Sequence, residues 1–185
     1  MRIRVQPGYR MSVMSLSANR APPSAIAAFL VAAGAAATIL GAFYFQYVLN
    51  LPPCPMCLEE RIPHYIVIPL GLIVAIAALR GGPRNVVRVG LAVIAIAMLI
   101  LVGMSVYHAG VEWKWWPGPT DCTGPVNNLG NVGDLLSRMN QTVVIRCDEA
   151  AWRLFGISLA GYNALISLAL AAIATWGIFV RPAKV

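Results

Sequence analysis

The sequence predicts an all-α membrane protein, a single domain built as a four-transmembrane-helix bundle with two loops on its outer face. Three observations carry that prediction. First, 59% of the 185 residues are hydrophobic and only 11% are charged. With a mean hydropathy of +0.72, this lies outside the range of water-soluble globular chains. Second, four stretches lack Asp, Glu, Lys and Arg over membrane-spanning length: Ala21–Leu58, Ile62–Leu79, Val89–Val111 and Leu154–Val180. About 20 apolar residues cross the hydrocarbon as a helix. Lipid offers no partner to free backbone groups, so each stretch has to be helical. Third, the charges are asymmetric. Nine cations and no acid fall in the N-terminal segment (Arg2, Arg4, Arg10, Arg20), the middle connection (Arg80, Arg84, Arg88) and the tail (Arg181, Lys184). The other two connections hold five cations (Arg61, Lys114, Arg138, Arg146, Arg153) and all seven acids. Four crossings put the nine cations on one side, which the positive-inside rule assigns to the cytoplasm. The net charge of +7 is therefore a topology signal with some attraction to anionic lipid headgroups, and no nucleic-acid partner is expected.

In chain order, residues 1–20 form a cytoplasmic tail, with Met11 and Met14 as alternative starts. The first helix covers about residues 22–49. A secretory signal is the other reading of this run, but the run extends well beyond a signal's short core. A short outer loop, about residues 50–60, leads to the second helix, 61–79, which carries Pro63 and Pro69. Arg80-Gly81-Gly82-Pro83-Arg84 is a turn by composition. It forces the second helix and the third, about 89–110, into an antiparallel hairpin. The long outer loop, about 111–153, precedes the fourth helix, about 154–179. Small residues at Ala32–Ala37 and Ala169–Ala174 allow close helix approach in lipid, and packing is their expected role.

The long loop opens with Trp113, Trp115 and Trp116, which suit the headgroup layer as anchors. Pro117 to Pro125 is rich in helix breakers and is expected to be extended. Leu129, Val132, Leu135, Leu136 and Met139 then recur near helical spacing, which predicts a short amphipathic helix on the membrane surface.

The chemistry lies in the cysteines. Cys54-Pro55-Met56-Cys57 holds two sulfurs close enough to cycle between dithiol and disulfide, and Cys122 and Cys147 lie in the other loop of the same face. Away from the cytoplasm, disulfides persist. Two structural disulfides are the plainest reading, although a bridge across two intervening residues constrains little chain. A CxxC is also a zinc half-site that Cys122 and Cys147 would complete. However, 24 residues separate the second pair, with no second CxxC and no His beside it. Redox exchange is the reading the CxxC favours, and no metal is expected.

Cys57 opens the second helix, where free N–H groups and the helix dipole favour a thiolate. Arg61, one turn on, can stabilise that thiolate or polarise an electron acceptor; its plainer role is an interfacial charge snorkelling to water. Glu59 and Glu60 read as helix-start acids, and Pro63 is tolerable in or near the first turn. His64 and His108 mark the outer ends of helices two and three. A proton-coupled acceptor such as a quinone needs such a group, and His108 is the first choice, His64 the second.

Together these residues resemble the disulfide bond formation protein B family, bacterial inner-membrane oxidases that recharge a periplasmic thiol oxidase with quinone. The resemblance covers nearly the whole chain. It rests on Cys54-x-x-Cys57-x-x-x-Arg61, on His108 ahead of Cys122, and on Cys147-Asp-Glu-Ala-Ala-Trp152 before the fourth helix. It implies a quinone-dependent thiol:disulfide oxidoreductase with cytoplasmic termini and periplasmic cysteine loops. It also implies a relay. A reduced DsbA-like partner of thioredoxin fold attacks the Cys122–Cys147 disulfide at Cys122, and the freed Cys147 attacks Cys54. Cys57 then faces ubiquinone or menaquinone beside Arg61, with His108 lining the site. That partner is known to be a strong oxidant in a periplasm kept oxidising through quinone. An ordinary CxxC could not regenerate it, so a lipid-soluble acceptor is the natural sink. One bundle holds every part of the relay, so a monomer is expected.

Three other readings compete with this one. A vitamin K epoxide reductase-like enzyme also pairs a CxxC with loop cysteines, but there the CxxC lies near the end of the bundle. An inward carrier of electrons would need a cytoplasmic or mid-membrane thiol, and the sequence has none. A non-catalytic membrane scaffold would use the cysteines only as staples.

Overall fold

The computed structural model describes residues 21–119 and 146–180. The N-terminal tail, the amphipathic helix expected across Leu129–Met139, and Cys122 lie outside the described residues.

Helix α1 (Pro23–Phe43) starts on a proline, whose missing N–H would have had no intrahelical partner there. It runs into a wider π turn, Tyr44–Val48, and Asn50, with φ at 52°, takes the left-handed conformation that asparagine tolerates. Helix α2 (Pro55–Glu59) is capped by Cys54, and α3 (Arg61–Leu79) continues it after a break at Glu60. The break has a local cause. Pro63 offers no N–H to the carbonyl of Glu59, and its ring crowds that carbonyl. Together α2 and α3 make one span of 25 residues.

Helix α4 (Arg84–Glu112) has 29 residues, about 43 Å at 1.5 Å per residue. The hydrocarbon is about 30 Å thick, so both ends reach the headgroups. The helix starts at Arg84, ahead of the 89 expected from the apolar run. Arginine is a good helix former, and its stem lies along apolar surface while the charge reaches water.

The fourth helix differs more. Residues 154–158, expected to begin it, instead join the loop's Arg153 in β1 (Arg153–Leu154) and β2 (Ile157–Ser158), paired antiparallel with Arg153 opposite Ser158. Phe155 and Gly156 between them have φ of 49° and 81°, the two positive values of a tight hairpin turn. Ser158 then caps α5 (Leu159–Phe179), accepting the Gly161 N–H at 3.2 Å. A stretch without charges carries no record of such a hairpin, because Leu154 to Ser158 are themselves uncharged.

The spans close into a ring, α1 on α3, α3 on α4, α4 on α5 and α5 on α1. The core is aliphatic and mostly small on three of the four spans: Ala28, Val31 and Ala35 from α1, Val67 and Val74 from α3, Ala171 and Ala174 beside one larger Leu170 from α5. Helix α4 supplies the bulk with Leu91, Ile94, Met98 and Leu101. Many larger side chains point outward, among them Phe29, Leu40, Ile73, Ile96, Ile100 and Leu168, the arrangement lipid requires. At Gly71 a Cβ would sit 3.0 Å from the carbonyl oxygen of Ala28 and 3.0 Å from the Cβ of Ala32. Helices α1 and α3 therefore meet almost backbone to backbone, as small-residue contacts in membranes do. Four helices long and apolar enough to cross a bilayer make this a multi-pass membrane protein.

Candidate functional site

The alternating spans bring the end of α1, the start of α2, the end of α4 and the start of α5 to one end of the bundle, and the polar residues collect there. Cys54 is buried, Cys57 half-buried, and both are free thiols. Their sulfurs are 2.7 Å apart, closer than ordinary non-bonded contact but longer than the roughly 2.05 Å of a disulfide bond. Little motion separates dithiol from disulfide here. The helix start acts on the other sulfur than the sequence suggested. Cys54 occupies the cap, and its Sγ accepts the backbone N–H of Cys57 at 3.2 Å. The Cys54 thiol is held below its ordinary value, first by the hydrogen bond from the Cys57 thiol and then, against the opposing effect of burial, by that N–H.

Behind the cysteines lies a buried polar network. Glu59 is exposed but Glu60, at the break between α2 and α3, is 6% exposed. His108 Nδ1 donates to Glu60 Oε1 at 2.9 Å, which leaves the Nε2 lone pair of the neutral ring free. Nε2 lies 3.6 Å from Cys54 Sγ and 3.9 Å from Glu112 Oε1, one turn along α4. Asn163 of α5 donates to Glu60 Oε2 and to Ser105 Oγ, both at 2.9 Å. Its Oδ1 faces His64 Nε2 at 3.1 Å. An amide oxygen only accepts, so His64 carries its proton on Nε2. Three of the four spans are thus tied together through one carboxylate and one amide.

Arg61 stands apart from this network. Its guanidinium donates to Gln46 Oε1 at 2.8 Å and lies 5.5 Å from the Phe43 ring centre. It therefore belongs to the π turn of the first span, among the exposed Tyr44, Tyr47, Leu58 and Ile62.

The end of the long loop is fixed to the same region. Cys147 is disulfide-bonded, 1% exposed, and in one buried cluster with Cys54 and Met56, against which Cys57 packs. Beside it Asp148 accepts from Arg146 Nε at 2.9 Å and pairs with Lys114. Trp152 packs on Phe45 at 5.0 Å and on Tyr162 at 6.3 Å, and Arg153 donates to the Glu112 carbonyl at 3.3 Å. Trp116 donates to the Tyr107 carbonyl at 2.9 Å and stacks on its ring.

Of the expected site residues, the structure gathers Cys54, Cys57, His108 and Cys147 and leaves Arg61 on the flank; Cys122 lies outside the described residues. His64 is tied to Asn163 rather than to a cysteine. Glu60, Asn163, Gln46 and Glu112 were not anticipated as site residues. The signal for Asn163 and Gln46 was present, since amides inside apolar spans rarely lack a partner or a role.

Residues 24–177 match the family model described as Disulfide bond formation protein DsbB. The chain is 31% identical over 160 residues to disulfide bond formation protein B 2 of Pseudomonas savastanoi pv. phaseolicola, spanning 82% of this chain and 86% of the relative. It is 29% identical over 160 residues to the protein of the same name from Pseudomonas syringae pv. syringae, with the same coverage. Over 155 residues it is 28% identical to disulfide bond formation protein B of Stutzerimonas stutzeri, spanning 80% of this chain and 90% of the relative. No solved structure gives a significant match.

Proposed function

Because this chain belongs to the disulfide bond formation protein DsbB family, we propose that it reoxidises a periplasmic DsbA-like thiol oxidase and delivers the electrons to membrane quinone. The observation that carries the reading is the buried cluster of Cys54 and Cys147 with Cys57 against it, at one end of a four-span bundle. The charge asymmetry supports placing that end in the periplasm and both termini in the cytoplasm.

The thiol steps are those the family resemblance implies, and the packing of Cys147 beside Cys54 supports them. The partner's thiolate attacks Cys122 of a Cys122–Cys147 disulfide, forming a mixed disulfide and releasing Cys147 as thiolate. Cys147 attacks Cys54, which breaks Cys54–Cys57 and leaves Cys57 as thiolate. The partner's second thiol resolves the mixed disulfide, and Cys122 then displaces Cys54 to close the outer pair again. The first pair is left as a dithiol. Free thiols at Cys54 and Cys57 beside a disulfide at Cys147 support this end state. His108 Nε2 stands at the Cys54 sulfur, where it takes up or returns that thiol's proton, while Glu60 fixes its tautomer.

A quinone, when bound, accepts two electrons and two protons. The residues present fit it. Cys57 is half-buried, and Arg61, one turn on, bonds to Gln46 of the π turn that also carries the exposed Tyr44; with the exposed Leu58 and Ile62 as chain neighbours, these are residue types suited to a flat, lipid-soluble molecule with polar carbonyl oxygens. Cys57 and Arg61 would hold it from the lipid side, with His108 behind the cysteines. The bundle contains all these parts, so the working unit is a monomer.

The test is catalytic reduction of ubiquinone or menaquinone by the detergent-purified chain, supplied with a reduced periplasmic dithiol protein and followed by quinone absorbance. Turnover is expected, and is expected to vanish in Cys57→Ser and in Cys122→Ser. Turnover that survives loss of either cysteine defeats the relay. An inactive wild type whose serine variants lose only stability makes the chain a scaffold with structural cysteines.

A further inference from the structure

Cys54 Sγ, Cys57 Sγ and His108 Nε2 all lie within 4.8 Å of one another. The zinc reading weighed from the sequence used Cys122 and Cys147 and lacked a histidine. The fold supplies one to the first pair instead. We propose that the reduced CxxC and His108 form a binding site for a soft or borderline divalent metal ion, zinc or cadmium, which is abolished when Cys54 and Cys57 join in a disulfide.

Four observations support the site. The donor set, two thiolates and one imidazole, is one that zinc takes with three protein ligands and an open position. Tetrahedral bonds of about 2.3 Å to sulfur and 2.0–2.1 Å to nitrogen place sulfur and nitrogen ligands about 3.6 Å apart. Cys54 Sγ and His108 Nε2 are 3.6 Å apart. The two sulfurs, at 2.7 Å, have to open by about 1 Å to reach the separation that the same bond lengths require, a side-chain rotation. The imidazole is already oriented, because Glu60 holds Nδ1–H at 2.9 Å, the carboxylate–histidine support that metal-binding imidazoles use. Finally, Glu112 Oε1 is 3.9 Å from the same Nε2, and its Oε2 is buried with no hydrogen-bond partner. Glu112, whose side chain is also hydrogen-bonded to Ser158, can fill the fourth position by turning its unpartnered oxygen toward it, or leave it to water.

Binding exchanges two thiol protons for one ion, with no change in oxidation state. A disulfide sulfur has no thiolate to offer, so metal and disulfide exclude each other. A captured ion would hold the first pair in the dithiol form and stop its reoxidation, reversibly on chelation. The site needs only the two thiols and the imidazole, so its failure leaves the quinone-linked reading standing, and failure of quinone reduction leaves the site standing.

The test is titration of the full-length chain in detergent micelles with cobalt(II), after reduction and removal of the reductant, followed by competition with zinc. We expect one cobalt per chain, with tetrahedral visible bands and a near-ultraviolet thiolate-to-cobalt band. The chain oxidised to the Cys54–Cys57 disulfide should show neither. Cys57→Ser should lose most of the thiolate band, and His108→Ala should bind at least tenfold more weakly. The double variant Cys122→Ser/Cys147→Ser should bind as the wild type does, which excludes a four-thiolate site. Size-exclusion profiles and detergent unfolding curves confirm that each variant is folded, and if His108→Ala is not, His108→Gln replaces it. No cobalt spectrum in the reduced wild type overturns the proposal. So does unchanged affinity in the folded His108 variant, or loss of binding in the double-serine variant.

Discussion

Asn163, at the start of the last span, donates to Glu60 at the start of the second span across 2.9 Å. That bond links α5 to the segment that carries the cysteine pair. Glu60 accepts at both oxygens, from Asn163 on one and from His108 on the other, so its two neighbours depend on the same side chain.

Glu60→Gln should separate position from charge. A glutamine has one acceptor oxygen and one donor nitrogen, so it can serve His108 or Asn163 but not both. We expect the chain to fold and thiol-to-quinone turnover to fall about 10- to 100-fold, the scale of a catalytic group misplaced by about 1 Å. Steady-state quinone reduction measures it, and an unchanged rate would mean His108 is held by other contacts.

Arg61→Lys tests the flank. Lysine keeps the charge but loses the planar fork that reaches Gln46 Oε1 while lying by the Phe43 ring. The expected result is a KM for quinone raised about tenfold, roughly 1.4 kcal/mol, with thiol exchange between partner and chain unaffected. Stopped-flow exchange in the absence of quinone separates the two.

Gly71→Val should loosen the bundle. The added Cβ alone would meet the Ala28 carbonyl and Ala32 at 3.0 Å, and backbone cannot yield as a side chain can. A loss of about 1–3 kcal/mol is expected, read as an earlier midpoint in denaturing-detergent titration. Leu91→Ala, at a fully buried position, leaves a cavity and should lose about 2–5 kcal/mol by the same measurement.

Acid should release the end of the long loop. Arg146, and after it Lys114, hold the Asp148 carboxyl well below the usual carboxylate range, with Glu149 the other acid facing Arg146 at 3.7 Å. A depressed folded value means the tie contributes above the ordinary carboxylate pKa and is lost as pH falls through the depressed one. The pair is near the surface, so salt should weaken it too. Hydrogen exchange of residues 146–150 should be steady around neutral pH, faster in strong acid, and already fast in Asp148→Asn.

The spans were legible because lipid imposes a length and a composition that charge-free runs record directly. The cysteine pair was legible because a CxxC is a spacing. What surrounds it was not, for physical reasons. Glu59 and Glu60 are identical as sequence, and only the break forced by Pro63 sends one to water and the other into the bundle. Asn163 and Gln46 sat inside runs defined by the absence of charge, so their amides went unread. The hairpin at Arg153–Ser158 depends on two positive φ values, one of them at a phenylalanine. That residue rarely adopts such a value, so nothing in its type announces it.

The burial of Cys147 gives the chain a preference that no reduction potential describes. A disulfide presents two sulfurs of equal oxidation state, and in free solution a thiolate strikes either. Here one of them is 1% exposed and packed against Met56 and Cys54, so a thiol arriving from water is barred from it by access alone. In the proposed relay this leaves attack to the other sulfur, with Cys147 as the leaving group on the buried side. The exchange would then be regioselective, and a foreign thiol entering the reaction would be steered along the same route as the proper one.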